Sequence, residues 1–123
     1  MVGMTNNLKN RTQDFAFDCW KLCTVFPKTR EYDVWVRQLI RSSSSVGANY
    51  RAACRAKSDR DFINKLKIVE EEADESMFWL EMFLKTGIDS KVQLEALKKE
   101  ANELLAITVS SIITVRKRIA SDK

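Results

Sequence analysis

The chain has no histidine, one proline and three glycines in 123 residues. Each shortage excludes something. Without histidine there is no imidazole base, no Ser-His or Cys-His nucleophile pair, and no Glu-x-x-His ligand set of the helical di-metal bundles. Few glycines and prolines mean few tight turns, so long helices are expected rather than a sheet. No apolar run reaches the ~18 residues of a membrane-spanning helix, and residues 1–11 lack a basic-then-apolar export signal. Met4 offers an alternative start, with residues 1–3 as an addition. These features point to the cytoplasm and away from membranes. The three cysteines lack C-x-x-C spacing: Cys19 and Cys23 are four apart, and Cys54 is remote. They read as small, reduced, partly buried thiols.

What is present suits one globular domain spanning 1–123, with 45% hydrophobic and 31% charged residues. Helical spacing organises it. Leu8, Thr12, Phe15, Cys19, Leu22 and Phe26 form one stripe, which Pro27 ends because a proline disfavours helix at the residue before it. Trp35, Leu39, Ser42, Val46, Asn49 and Ala53 form the second, with Thr29 as N-cap. This stripe keeps phase through the four serines of "RSSSSVGAN", Arg41 to Asn49. A hinge would have no reason to keep it, so residues 31–56 are expected as one helix. Its small residues Ser43, Ser44, Gly47 and Ala48 are expected to admit a neighbouring helix closely.

Ser58 or Asp59 begins a third helix on Phe62, Leu66, Val69, Ala73, Ser76, Leu80 and Phe83, closed by Gly87. Ser90 is the expected cap of a fourth, on Leu94, Leu97, Ala101, Leu104, Thr108, Ser111, Val115 and Ile119. The expected fold is all-α: an antiparallel up-down-up-down four-helix bundle.

Charge is uneven. Residues 58–89 carry nine acidic and four basic groups, while residues 31–57 carry five basic and two acidic. Two accounts fit: pairing between helices, or a basic surface for an anionic partner. The candidate nucleic-acid contacts are Arg37, Arg51, Arg55 and Lys57 on the second helix, and Arg116, Lys117 and Arg118 on the fourth. Arg41 lies among the first set but is a candidate partner for the acidic run Glu70 to Glu75. No second carboxylate pair matches that run, so no metal or other cofactor is expected. Trp20, Val36, Ile40, Ile63, Met77, Phe78, Trp79, Met82, Leu105, Ile107, Val109 and Ile113 fall off the stripes. They suit either a subunit interface or a wider core.

The segment Arg41 to Phe83 resembles the bacterial 23S rRNA-intervening sequence protein family. The resemblance rests on Arg41, Ser45, Val46, Asn49, Tyr50 and Arg51, then Ser58, Asp61, Phe62 and Leu66, then Glu72, Glu75, Trp79 and Leu80. Ala52 departs from the pattern, since many relatives carry an acidic residue there. The resemblance implies an antiparallel bundle assembling into a ring, commonly a pentamer. It also implies kinship in fold with the accessory protein of diversity-generating retroelements, which engages a reverse transcriptase and nucleic acid. The resulting expectation is a non-enzymatic homo-oligomer binding RNA or a nucleoprotein such as a reverse transcriptase, with no small-molecule substrate. The alternative is a protein-only scaffold.

Overall fold

The structure, a computed structural model, describes residues 2–122, with side chains from residue 7 onward. Its elements are α1 (Val2–Cys23), α2 (Arg30–Cys54), α3 (Asp59–Lys85) and α4 (Lys91–Ser121). Three short connections force each helix to run back along the previous one. Contacts fix the directions: Tyr32 at the start of α2 stacks on Phe83 at the end of α3. Arg118 near the end of α4 pairs with Asp59 at the start of α3. The result is an antiparallel four-helix bundle. Among the described residues, no helix is long and apolar enough to cross a membrane.

Local chemistry sets most boundaries. The Thr29 side chain accepts from the Tyr32 N–H, and Ser58 from the Asp61 N–H, so both act as N-caps. Gly87 ends α3 at φ 73°, where a side chain would be strained. Two expectations are corrected. α1 gives way at Cys23, ahead of Pro27, to a tight run in which Thr24, Val25 and Phe26 donate to carbonyls three residues back. Ser90 occupies the cap position of α4, but its side chain makes no capping bond there.

The core follows the helical stripes, with shifts. All six α1 stripe residues are buried. On α2, Tyr50 is buried while Asn49 is half-buried; on α3, Ile63 is buried and Phe62 half-buried. On α4, Ile112 is 3% exposed and takes the core position expected for Ser111. A straight α-helix repeats every 3.6 residues, so a strict heptad drifts off the buried face over several turns. Most off-stripe apolar residues widen the core: Val36, Ile40, Met77, Trp79, Leu105 and Ile107 pack against it half-buried. Trp20, Phe78 and Ile113 stay exposed, as does Phe17, which stacks on Trp20.

The serine-rich stretch is helical throughout. Gly47 faces α1: a Cβ placed there would sit 3.2 Å from the Thr12 carbonyl oxygen. On the α3 side, buried Ser42 and Ser76 share a hydroxyl–hydroxyl bond of 2.8 Å, and Ser76 Oγ also donates to the Glu72 carbonyl at 2.8 Å. Ser44 and Ala48 are exposed, so the close contact uses only part of the small-residue face.

Candidate nucleic-acid interface

Antiparallel order has a consequence that linear sequence hides: α2 and α4 both end at the same end of the bundle. Arg51, Arg55 and Lys57 therefore share that end with Arg116, Lys117 and Arg118, and all six are exposed. The C-termini of α2 and α4 and the N-termini of α1 and α3 meet there, so the helix dipoles favour cations only at the last turns of α2 and α4. Arg118 is held by Asp59, its Nη2 donating to Oδ1 at 2.8 Å. Among the described residues, Arg51, Arg55, Lys57, Arg116 and Lys117 have no carboxylate within 4.0 Å. Asp59, Asp61 and Asp122 stand at the same end, and cations outnumber them.

Arg37 and Arg41 lie away from this cluster. Arg37 is 14 residues from Arg51, about 21 Å along the helix. Its side chain is exposed and takes no part in an ion pair among the described residues. Arg41 is engaged: one guanidinium nitrogen lies 2.7 Å from Glu72 Oε2, and the other meets Glu75. Hydrogen bonds to Glu75 and Glu72 raise its pKa from an already high value. Trp79 Nε1 donates to the same Glu75 oxygen at 3.2 Å. Arg41, Glu72, Glu75 and Trp79 thus form one clasp between α2 and α3. Four of the family-pattern residues are explained by packing rather than by a ligand.

The remaining pattern residues divide. Asn49 Nδ2 donates to the Ser45 carbonyl at 3.0 Å and to its hydroxyl at 2.9 Å, within one turn of α2. Tyr50 and Phe62 instead line a groove at the basic end, together with Lys57, Asp59 and Arg118. Burial pushes the Tyr50 phenol up to about 12, with Cys54 adding to the effect. Ala52 is half-buried in the last turns of α2. Position 52 is three residues before Arg55, within reach on a helix surface. With alanine there, no carboxylate competes for that guanidinium. Burial also raises the Cys19 and Cys23 thiols, Cys23 to about 11. Glu72 and Glu75 of the acidic run are committed to Arg41.

Two contacts had no sequence signal. Arg11 forks onto Glu100, with Nε at 3.0 Å and Nη2 at 2.5 Å, tying α1 to α4. Asp59 as the partner of Arg118 is the other. Both join residues remote in sequence, and only the bundle's topology brings them together.

The packing, the clasp and the helix order together define a family. The model of the 23S rRNA-intervening sequence proteins matches residues 5–110, and the chain belongs to that family. A solved structure from Bacteroides thetaiotaomicron, a protein with unknown function from the S23 ribosomal protein family, is similar at 33% identity with a TM-score of 0.79. The match covers 88% of this chain and 96% of that one. No curated protein matches. Arg116, Lys117 and Arg118 lie beyond the residues matched by the family model.

Proposed function

We propose that this protein is a non-enzymatic homo-oligomer of the cytoplasm that binds RNA, or a nucleoprotein containing it, through the basic end of the bundle. The observation that carries this reading is the meeting of Arg51, Arg55 and Lys57 with Arg116 and Lys117 at one end, without carboxylate partners among the described residues. Arg37 extends the surface up α2, while Arg41 serves the fold. The non-enzymatic part rests on chemistry. The buried thiols Cys19 and Cys23 are held protonated, which makes them poor nucleophiles, and no imidazole exists to activate another group.

Assembly into a ring, commonly pentameric in the family as resemblance has it, would repeat the basic end around an axis. Repetition turns weak phosphate contacts into avidity. The exposed Phe17–Trp20 stack and Phe78 are apolar surface available for subunit contact. These same residues favour the second reading, a protein-only scaffold.

A filter-binding titration with RNA against salt separates the two. Phosphate contacts predict that affinity falls on a log–log plot with a slope of about −0.7 to −0.9 per contact. The double variant Arg51→Glu with Arg55→Glu should lose RNA retention and keep its fold. No retention by the unaltered protein at low salt removes the nucleic-acid reading and leaves the scaffold. Light scattering checks assembly, since a ring has a mass several times 14.2 kDa and a monomer mass at micromolar concentration excludes it.

A further inference from the structure

Among the described residues, the basic end of the bundle holds an opening. A groove of about 870 Å³ lies there, between the N-terminal part of α1, the α2–α3 connection and the last turns of α4. Its size falls within the range of roughly 300–1,000 Å³ typical of sites for small organic groups. Three kinds of surface meet in it. Half-buried Phe62 and the small exposed part of Tyr50 give an aromatic side. Ser110 and Thr114 stand one turn apart on α4 and give hydroxyls. Lys57 gives a cationic rim, where Arg118 stands already paired with Asp59.

The hydroxyls complete the lining. A serine or threonine inside a helix commonly donates back to the preceding turn. Thr108 does so, to the Leu104 carbonyl at 2.7 Å, and Ser121 does so to Lys117 at 3.0 Å. Ser110 and Thr114 are exposed and, like Ser111 beside them, make no hydrogen bond to another protein group among the described residues, so their hydroxyls are open to water and to the polar edge of a ligand. Their donors and acceptors line the groove beside an aromatic surface and Lys57, unpaired among the described residues.

A nucleobase matches that combination. It has an apolar face, a polar edge and a phosphate linked to it. We propose that the groove receives one unpaired nucleobase of a single RNA strand, lodged against Tyr50 and Phe62, with its edge bonded by Ser110 and Thr114 and its phosphate held by Lys57. Arg118, fixed by Asp59, borders the same opening. A base paired within a duplex cannot enter, because its faces are stacked on its neighbours. The inference rests on the RNA-binding reading above and narrows it to strands with unpaired bases.

Fluorescence anisotropy at one salt concentration tests it, with a short labelled single-stranded RNA and the fully paired duplex of the same sequence as probes. Charge density alone favours the duplex. Stacking of a base on an aromatic side chain predicts the reverse, with the strand bound about tenfold tighter. Ser110→Leu with Thr114→Leu fills the groove at two exposed helix positions. It should weaken strand binding by about tenfold and leave duplex binding and the thermal midpoint unchanged. Phe62→Leu keeps apolar packing, removes the ring, and should act in the same direction. Equal affinity for strand and duplex in the unaltered protein overturns the groove inference. So does undiminished strand binding by the stably folded leucine pair. If both probes bind equally and release steeply with salt, the groove inference fails while the basic-end reading stands. If neither probe binds, both fail.

Discussion

Two of the four seams of this bundle are built differently. Between α2 and α3 lie a buried hydroxyl pair, a forked arginine on two glutamates, and an aromatic series from Phe83 through Trp35 to Trp79, which Phe26 of the α1–α2 connection joins at Phe83. Between α1 and α4 the contact is thinner, with one arginine fork onto Glu100 and a groove toward the basic end. The difference teaches how to sort charge. Arg41 and Arg11 are bound by carboxylates and belong to the fold. Arg51, Arg55, Lys57, Arg116 and Lys117 lack such partners among the described residues, as the proposed RNA interface requires.

The largest effect should come from the tightest contact. Gly47→Leu drives a side chain at the α1 backbone, which cannot yield as a flexible side chain would. Thermal unfolding should show a loss of about 1–3 kcal/mol, the usual cost of overpacking. An unchanged midpoint would show that α1 moves aside easily, and the picture of α1 packed hard on α2 would fail.

Next in size is the hydroxyl pair. Ser76→Ala removes one partner of a buried bond, and a loss of about 1 kcal/mol is expected. Ser42 can then turn its proton to the Leu39 carbonyl, 3.3 Å away, which limits the damage. A double-mutant cycle with Ser42→Ala should show a coupling of about 0.5 kcal/mol or more. Strict additivity would mean that the pair does not bind the helices together.

The two arginine forks sharpen the comparison directly. Arg41→Ala should cost about 0.5–1 kcal/mol, since its side chain is half exposed and the pair is solvent-screened. Arg11→Ala should cost a similar amount, and both losses should shrink as salt rises. If salt leaves both losses unchanged, they come from packing of the side-chain stems rather than from charge.

The smallest effect is expected at the basic end. Arg51→Ala and Arg55→Ala should each change stability by less than about 0.5 kcal/mol, as surface substitutions usually do. A loss as large as that of Arg41→Ala would place these residues in the fold and take them away from the ligand.

The helices themselves were legible in the sequence. Spacing alone outlined all four and carried α2 through the serines. The register was less so: Ile112 for Ser111, Ile63 for Phe62 and Tyr50 for Asn49 are all neighbours of the residue expected, as drift from a strict heptad produces. Ser90 shows a different limit, since cap chemistry names a position without ensuring that its side chain turns inward. For the candidate site, the sequence supplied two basic clusters but not their meeting, which depends on helix direction. It hinted that Arg41 pairs with the acidic run and could not say which glutamates. The surplus of apolar residues overstated the exposed surface, because a helix contacting two neighbours buries more than one stripe.

The thin α1–α4 seam also bears on how the chain finds its shape. Every strong interface here joins helices adjacent in sequence, and only this one closes the chain from end to end. Low contact order of that kind goes with fast folding, so hairpins of neighbouring helices can assemble early and the end-to-end closure falls last. By the same logic it is the first to loosen in the native state. Amide protons in the last turns of α4 should therefore exchange ahead of those in the middle of α3.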